Sequence, residues 1–162
     1  MYALSLKDNV ALAESDIVDD IKVETVLRKA GFGEKLDSLP KGLQTLVYRN
    51  YDDEGFEPSG GEGQKIALAR ALFKNAPIIV LDEPAAALDP RAEYEMYQNF
   101  NALIGSKTAV YISHRLSSAR FCDCIAVFDK GEIIEYGSHD DLSARDGLYS
   151  ELWRMQAKYY VD

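Results

Sequence analysis

Apolar residues in the first part of the chain recur at helical spacing. Val23, Val26, Leu27 and Ala30 fall at i, i+3, i+4 and i+7, so they share one face of an amphipathic helix. Ser5 is a candidate cap for this helical stretch and Gly31 closes it. Between Leu39-Pro40-Lys41-Gly42 and Gly55, turn residues, charges and tyrosines break the period. The segment reads as a loop-rich connection, with Asp52-Asp53-Glu54 a solvated turn. Ser59-Gly60-Gly61-Glu62 then has a serine and a glutamate three apart, ahead of good helix formers. That pattern predicts a capped helix running to about Lys74.

After Asn75-Ala76-Pro77 the period changes. Ile78, Ile79, Val80 and Leu81 are consecutive aliphatics, as in a strand covered on both faces of a parallel sheet. Asp82-Glu83-Pro84 ends that strand. Asp89-Pro90 reads as a cap followed by proline at the first helical position, with Met96, Phe100 and Leu103 on one face. Residues 108–112 are β-branched and aromatic, a second buried strand, with His114 just beyond. Two more strands, 124–128 and 132–136, flank the turn at Lys130-Gly131. From Gly147, the residues Leu148, Leu152, Met155 and Tyr159 mark a packing helix. Strands alternating with helices in the second half give an α/β class.

Composition narrows the possibilities. At 162 residues with 47% hydrophobic content, the chain is of a size and richness to build one core. A net charge of -9 provides no basic footprint for phosphate backbones, so no nucleic acid partner is expected. No apolar run approaches the roughly 20 residues that cross a bilayer. The start, Met1 to Lys7, turns polar too soon for a secretory signal, which predicts a cytosolic chain. Cys122 and Cys124, the only cysteines, lack the spacing of a zinc or redox pair and read as reduced core residues on one side of a strand.

Three places carry candidate chemistry. The glycines after Ser59 let backbone N–H groups approach an anion at a helix start, where the dipole favours negative charge. Asp82 and Glu83 end a strand at the carboxyl edge of the sheet, where open α/β folds bind ligands. Neighbouring side chains diverge on a strand, so Asp82 suits a hydrated Mg2+ and Glu83 suits a water to be oriented and deprotonated. His114 ends the next strand and can join an attacked phosphate, the water and Glu83 by hydrogen bonds. Each alone has an ordinary reading, as a cap, a solvated strand end or a structural histidine. Their order and spacing, with the Asp loop Ala87-Leu88-Asp89-Pro90 as a fourth element between the acidic strand end and His114, carry the argument.

This set resembles the nucleotide-binding domains of the ABC superfamily over nearly the whole chain. The signature corresponds to Pro58-Ser59-Gly60-Gly61-Glu62, continuing through Gln64 to Leu72; the Walker B strand to Ile78 through Glu83; the D-loop to Ala86-Ala87-Leu88-Asp89; and the switch histidine to His114. Lys130-Gly131-Glu132-Ile133 and Gly137 to Leu142 are similar to the exporter-type branch, in which Asp52 to Gly55 fall near the transmembrane coupling helices. His139 is then a helix-start residue. Pro58 replaces the usual Leu, Glu62 the usual Gln and Ala86 the usual Ser, the last removing a hydroxyl contact across the dimer.

The resemblance implies a partial P-loop NTPase fold with a helical subdomain over 1–75 and an α/β core segment over 76–162, ending in a hairpin and helix. It implies ATP and Mg2+ as cofactors, with Glu83 and His114 catalytic and Asp82 holding the metal through water. Ser59, Gly60, Gly61 and Glu62 would contact ATP held by the partner subunit, and Asp89 would serve the dimer. Expected partners are a second nucleotide-binding domain and transmembrane domains, at the inner face of the membrane. No Gly-x-x-x-x-Gly-Lys-[Ser/Thr] occurs; Gly55 and Gly60 have the glycine spacing, but Gly61 and Glu62 follow. The chain therefore reads as truncated at its amino end and inactive alone. Two alternatives are a soluble chromosome-maintenance or repair ATPase and a non-enzymatic module that pairs with a complete domain. Salt-sensitive DNA binding distinguishes the first, and modulation of a partner's turnover the second.

Overall fold

Local capping sets out the first half. In the computed structural model, which describes residues 1–12, 18–50, 52–84, 93, 97, 100, 103–105 and 107–159, the helical stretch is two helices. Ser5 caps α1 (Leu6–Ala11), its Oγ accepting from the Asp8 N–H at 3.1 Å. Asp19 caps α2 (Asp20–Lys29), its carboxylate accepting from the N–H groups of Ile21 and Lys22. The predicted face of α2, Val23, Val26, Leu27 and Ala30, is buried, and Gly31 leaves the helix at φ +78°. A short α3 (Gly33–Ser38) follows.

The connection from 39 to 55 is irregular, as expected, but anchored. Single bridges join Ser5 to Leu46 and Val47 to Phe56, and both Val47 and Phe56 are buried. A Cβ at Gly55 would lie 2.5 Å from the Tyr48 carbonyl oxygen, so only glycine fits that crossing. The acidic turn is not merely solvated: Lys41 Nζ pairs with Asp52 at 2.7 Å and Glu54 at 2.8 Å. This pairing holds the Asp52 carboxyl below its ordinary range.

α4 (Gly60–Lys74) ends at Asn75, whose left-handed conformation stops the helix. Its Ile66 and Ala69 join α1 and α2 in the first core with Leu6, Val10, Val23, Leu27 and Phe32. Arg70 ties α4 to α1 through Nε–H to the Asn9 carbonyl, 2.8 Å. Leu68 packs against both this core and a second one, built on Ile79, Phe100 and Ile104.

The second core lies on one face of a parallel pair, β1 (Ile78–Asp82) and β2 (Thr108–Ile112), in register Ile78 to Thr108 through Asp82 to Ile112. Coverage of both faces was the expectation, and here the structure differs. Ile78 and Val80 are 58% and 60% exposed, and Val110 and Ile112 are exposed beside them, because among the described residues it is the face bearing Ile79, Leu81, Ala109 and Tyr111 that meets α4 and the helical residues near 100. Those helical residues include Glu93, Tyr97, Phe100 and Ile104, all buried. Leu103 is half-buried. Met96 and the cap at Asp89-Pro90 lie outside the described residues.

After α5 (Leu116–Ala119), β3 (Ile125–Asp129) and β4 (Glu132–Gly137) form an antiparallel hairpin. Lys130 and Gly131 both have positive φ at its turn, as a tight two-residue connection requires. Cys122 and Cys124 precede the strand rather than lying in it. Cys122 is half-buried, its thiol pushed up by burial, while Cys124 is exposed and so not a core residue. Ser138 caps α6 (His139–Ala144), and His139 is its first residue, with Nδ1 2.8 Å from the Tyr149 hydroxyl. In α7 (Leu148–Tyr159) the buried side carries Tyr149 and Ser150. Leu152 and Met155, expected to pack, are exposed; the helix turns its aromatic residues inward, Tyr149 and Trp153 meeting His139.

Candidate active site

The start of α4 closes on itself reciprocally. Ser59 Oγ accepts from the Glu62 N–H at 3.3 Å while Glu62 Oε2 accepts from the Ser59 N–H at 2.8 Å. Lys35 Nζ approaches Glu62 Oε1 at 3.3 Å. A Cβ at Gly61 would meet nothing within 4 Å. The fold itself therefore leaves space over Gly61, the clearance an anion needs to reach backbone N–H groups at this fifteen-residue helix's positive end. Glu62 brings a carboxylate to the same end, and Lys35 partly offsets it.

The Ser59 N–H, and to a lesser extent the Ser59 hydroxyl and Lys35, hold the Glu62 carboxyl below the usual carboxylate range. A depressed folded-state pKa contributes stability that is present above the unfolded value of about 4.3 and lost as pH falls through the folded one. The start of α4 is therefore expected to fray on acidification below about pH 4. Ser59→Ala, which removes the cap at neutral pH, is expected to lower stability by about 1 kcal/mol in urea unfolding. A midpoint equal to that of the parent would show that the cap contributes nothing.

At the sheet edge, the ends of β1 and β2 bring Glu83 and His114 together. The strand register continues as the Glu83 N–H donates to the Ile112 carbonyl at 2.9 Å. Glu83 Oε1 accepts from the His114 N–H at 3.1 Å and lies 2.7 Å from His114 Nδ1. Where Oε1 accepts from Nδ1, that nitrogen carries the ring proton and Nε2 is left to serve another partner. The second carboxylate oxygen, Oε2, is buried and has no hydrogen-bond partner among the described residues. Glu83 also takes φ +46°, in the left-handed region that costs a non-glycine residue about 1 kcal/mol or more. The neighbouring Asp82 is exposed at the strand end. Among the described residues no group of three or more His, Cys, Asp or Glu gathers to hold a metal. A single exposed carboxylate fits a magnesium ion held mostly by substrate phosphates and water.

Among the described residues, no hydrogen bond or ion pair joins Ser59–Glu62 to Glu83 or His114. Ala86 to Asp89, the D-loop segment of the sequence reading, lies outside the described residues. Two supporting residues were missed from sequence. Glu93, 3% exposed, accepts from Arg115 at 2.9 Å and from the Ser117 hydroxyl at 2.9 Å, bracing the turn after His114. Its place on the face of Tyr97, Phe100 and Ile104 was available as a signal. Gln156, from α7, reaches the same turn, with no signal in the sequence beyond its helix.

A capped Ser-Gly-Gly-Glu helix beside a parallel strand pair ending in Asp-Glu and His defines part of an ABC-type nucleotide-binding domain. The chain belongs to the ABC transporter family, whose model matches residues 3–86. It is 40% identical over 152 residues, 94% of its length, to an ATP-dependent lipid A-core flippase of Paraburkholderia xenovorans, and 41% identical over 94% to one of Xylella fastidiosa. It also superposes on a bacterial Atm1-family ABC exporter solved with ATP bound, with TM-score 0.84 and 37% identity over 97% of this chain. The chain spans about a quarter of the length of these relatives, 24% and 25% of the flippases and 27% of the exporter chain. They decide for the exporter branch over the chromosome-maintenance alternative. No described helix is long and apolar enough to cross a membrane.

Proposed function

We propose that this chain supplies the hydrolytic carboxylate and the signature face of an ATP-driven exporter's nucleotide-binding domain, at the cytoplasmic side of a membrane. One observation carries the reading: the Glu83–His114 pair at the ends of two parallel strands, with Glu83 Oε2 buried and without a hydrogen-bond partner among the described residues. In that role Oε2 accepts the proton of the attacking water as the water oxygen bonds to the terminal phosphorus and ADP departs. His114 holds the other carboxylate oxygen and turns Nε2 toward the phosphate. Asp82 would hold a magnesium ion through water, and the ion would supply charge neutralisation at the phosphates. Ser59, Gly60, Gly61 and Glu62 would face a nucleotide held by a partner domain, with Asp89 assigned to the contact between the two domains from the sequence motif alone.

The 162 residues contain no Gly-x-x-x-x-Gly-Lys-[Ser/Thr] run, and so lack the backbone nest and lysine that cradle phosphates. Magnesium-dependent ATP turnover by this chain alone is therefore expected to stay at the buffer level. The same chain, placed in the P. xenovorans flippase in exchange for the segment it aligns with, is expected to support hydrolysis. Turnover by the isolated chain that Glu83→Gln abolishes would overturn the first expectation, and a folded but inert chimera the second.

A further inference from the structure

We propose that Gln156 of α7 is a positioning residue for His114, setting the backbone of the turn that presents the imidazole to Glu83. β2 ends at Ile112, and the chain passes Ser113, His114 and Arg115 before α5 begins. The Gln156 amide grips this turn at two points. Its Nε2–H donates to the His114 carbonyl at 3.0 Å, and its Oε1 accepts from the Leu116 N–H at 2.9 Å. A primary amide offers one donor side and one acceptor side in a single plane, and both are used on main-chain groups two residues apart.

The opposite side of the His114 peptide is held by Glu83, which accepts the His114 N–H. The main chain at His114 is thus fixed at its N–H by the residue it must face and at its carbonyl by a residue 42 positions downstream. Packing does not do this work, because the His114 side chain is 74% exposed. A small rotation of the turn would carry Nδ1 away from Glu83 Oε1, and catalytic geometry tolerates displacements of only a fraction of an ångström. Glu93 cannot substitute for the grip, since it reaches Arg115 and Ser117 rather than the His114 peptide. The importance of this placement for hydrolysis rests on the function proposed above; the placement itself does not.

The test is nuclear magnetic resonance on the full 162-residue chain, reading amide hydrogen exchange and the histidine ring resonances. The chain has two histidines, so His139, held by Tyr149, is an internal control. Gln156→Ala is expected to speed exchange of both the Leu116 and His114 amides by about fivefold or more, the loss of roughly 1 kcal/mol per hydrogen bond. It should also shift the His114 ring signals while His139 and the amides of β1 and α4 keep theirs. Gln156→Glu retains an acceptor for Leu116 but sets an oxygen against the His114 carbonyl, so only His114 is expected to loosen. An unchanged His114 amide and ring in Gln156→Ala, with Leu116 released, would reduce Gln156 to a cap of α5 and overturn the proposal. Glu83→Ala separates the two readings. It should release the His114 amide and leave Leu116 protected; if it leaves His114 untouched, the Glu83–His114 pairing behind the functional reading has failed.

Discussion

Glu83→Gln in the flippase chimera is expected to lower the turnover number by a factor of about 10² to 10⁴, the usual contribution of a positioned proton acceptor, with KM for ATP nearly unchanged. The substitution keeps the shape of the side chain, and an amide oxygen still accepts the His114 N–H that now lies 3.1 Å from Oε1. What it removes is the basic oxygen at Oε2, the atom that is buried and has no hydrogen-bond partner among the described residues. An interaction made only as the proton moves should appear in kcat and not in substrate binding. Steady-state ATPase assays on the purified chimera decide the matter. Turnover within threefold of the parent would remove Glu83 from the proton transfer, and a raised KM with unchanged kcat would make it a binding residue instead.

Ile66→Ala is expected to cost roughly 2–5 kcal/mol of stability in the 162-residue chain, the range for emptying a fully buried aliphatic site. Ile66 lies in the second turn of α4 with no exposed surface, among residues contributed by α1 and α2. Those helices are short, and helices of such length owe their stability to packing rather than propensity. The cavity should therefore loosen the platform on which the signature helix rests. Urea unfolding followed by far-UV circular dichroism should show a lower midpoint with a similar slope. A loss below about 1 kcal/mol would mean that the surrounding helices collapse onto the space.

What could be read from the sequence follows the range of the interactions involved. The Ser59–Glu62 box and the length of α4 were legible because capping needs only residues three apart. The parallel pair of β1 and β2 was legible from an aliphatic run and a β-branched, aromatic one with helical residues between them. The exposure of Ile78 and Val80 was not, because an aliphatic run states what a strand can bury and not what stands opposite it. The two-helix split of the first segment turned on Asp19, a cap that the periodic residues beyond it obscured. At the site, Glu83 and His114 were named from their strand ends, but their 2.7 Å approach depends on register. Gln156 was out of reach, since a polar residue on a helix carries no record of a contact 42 residues away. Leu152 and Met155 misled for a related reason: apolar spacing marked a helix correctly and its inward face wrongly, where aromatic contacts with His139 decide the rotation.

The left-handed backbone at Glu83 sets conformation and chemistry against each other at one position. Glycine would adopt that φ without strain, yet it carries no carboxylate. A library ranked by how much folded protein accumulates in the cell would enrich the variant that can no longer act, and one ranked by ATP consumed would discard it. Disagreement between those two rankings at residue 83, and agreement at positions such as Ile66, is the signature of a residue kept for what it does rather than for how it holds the fold.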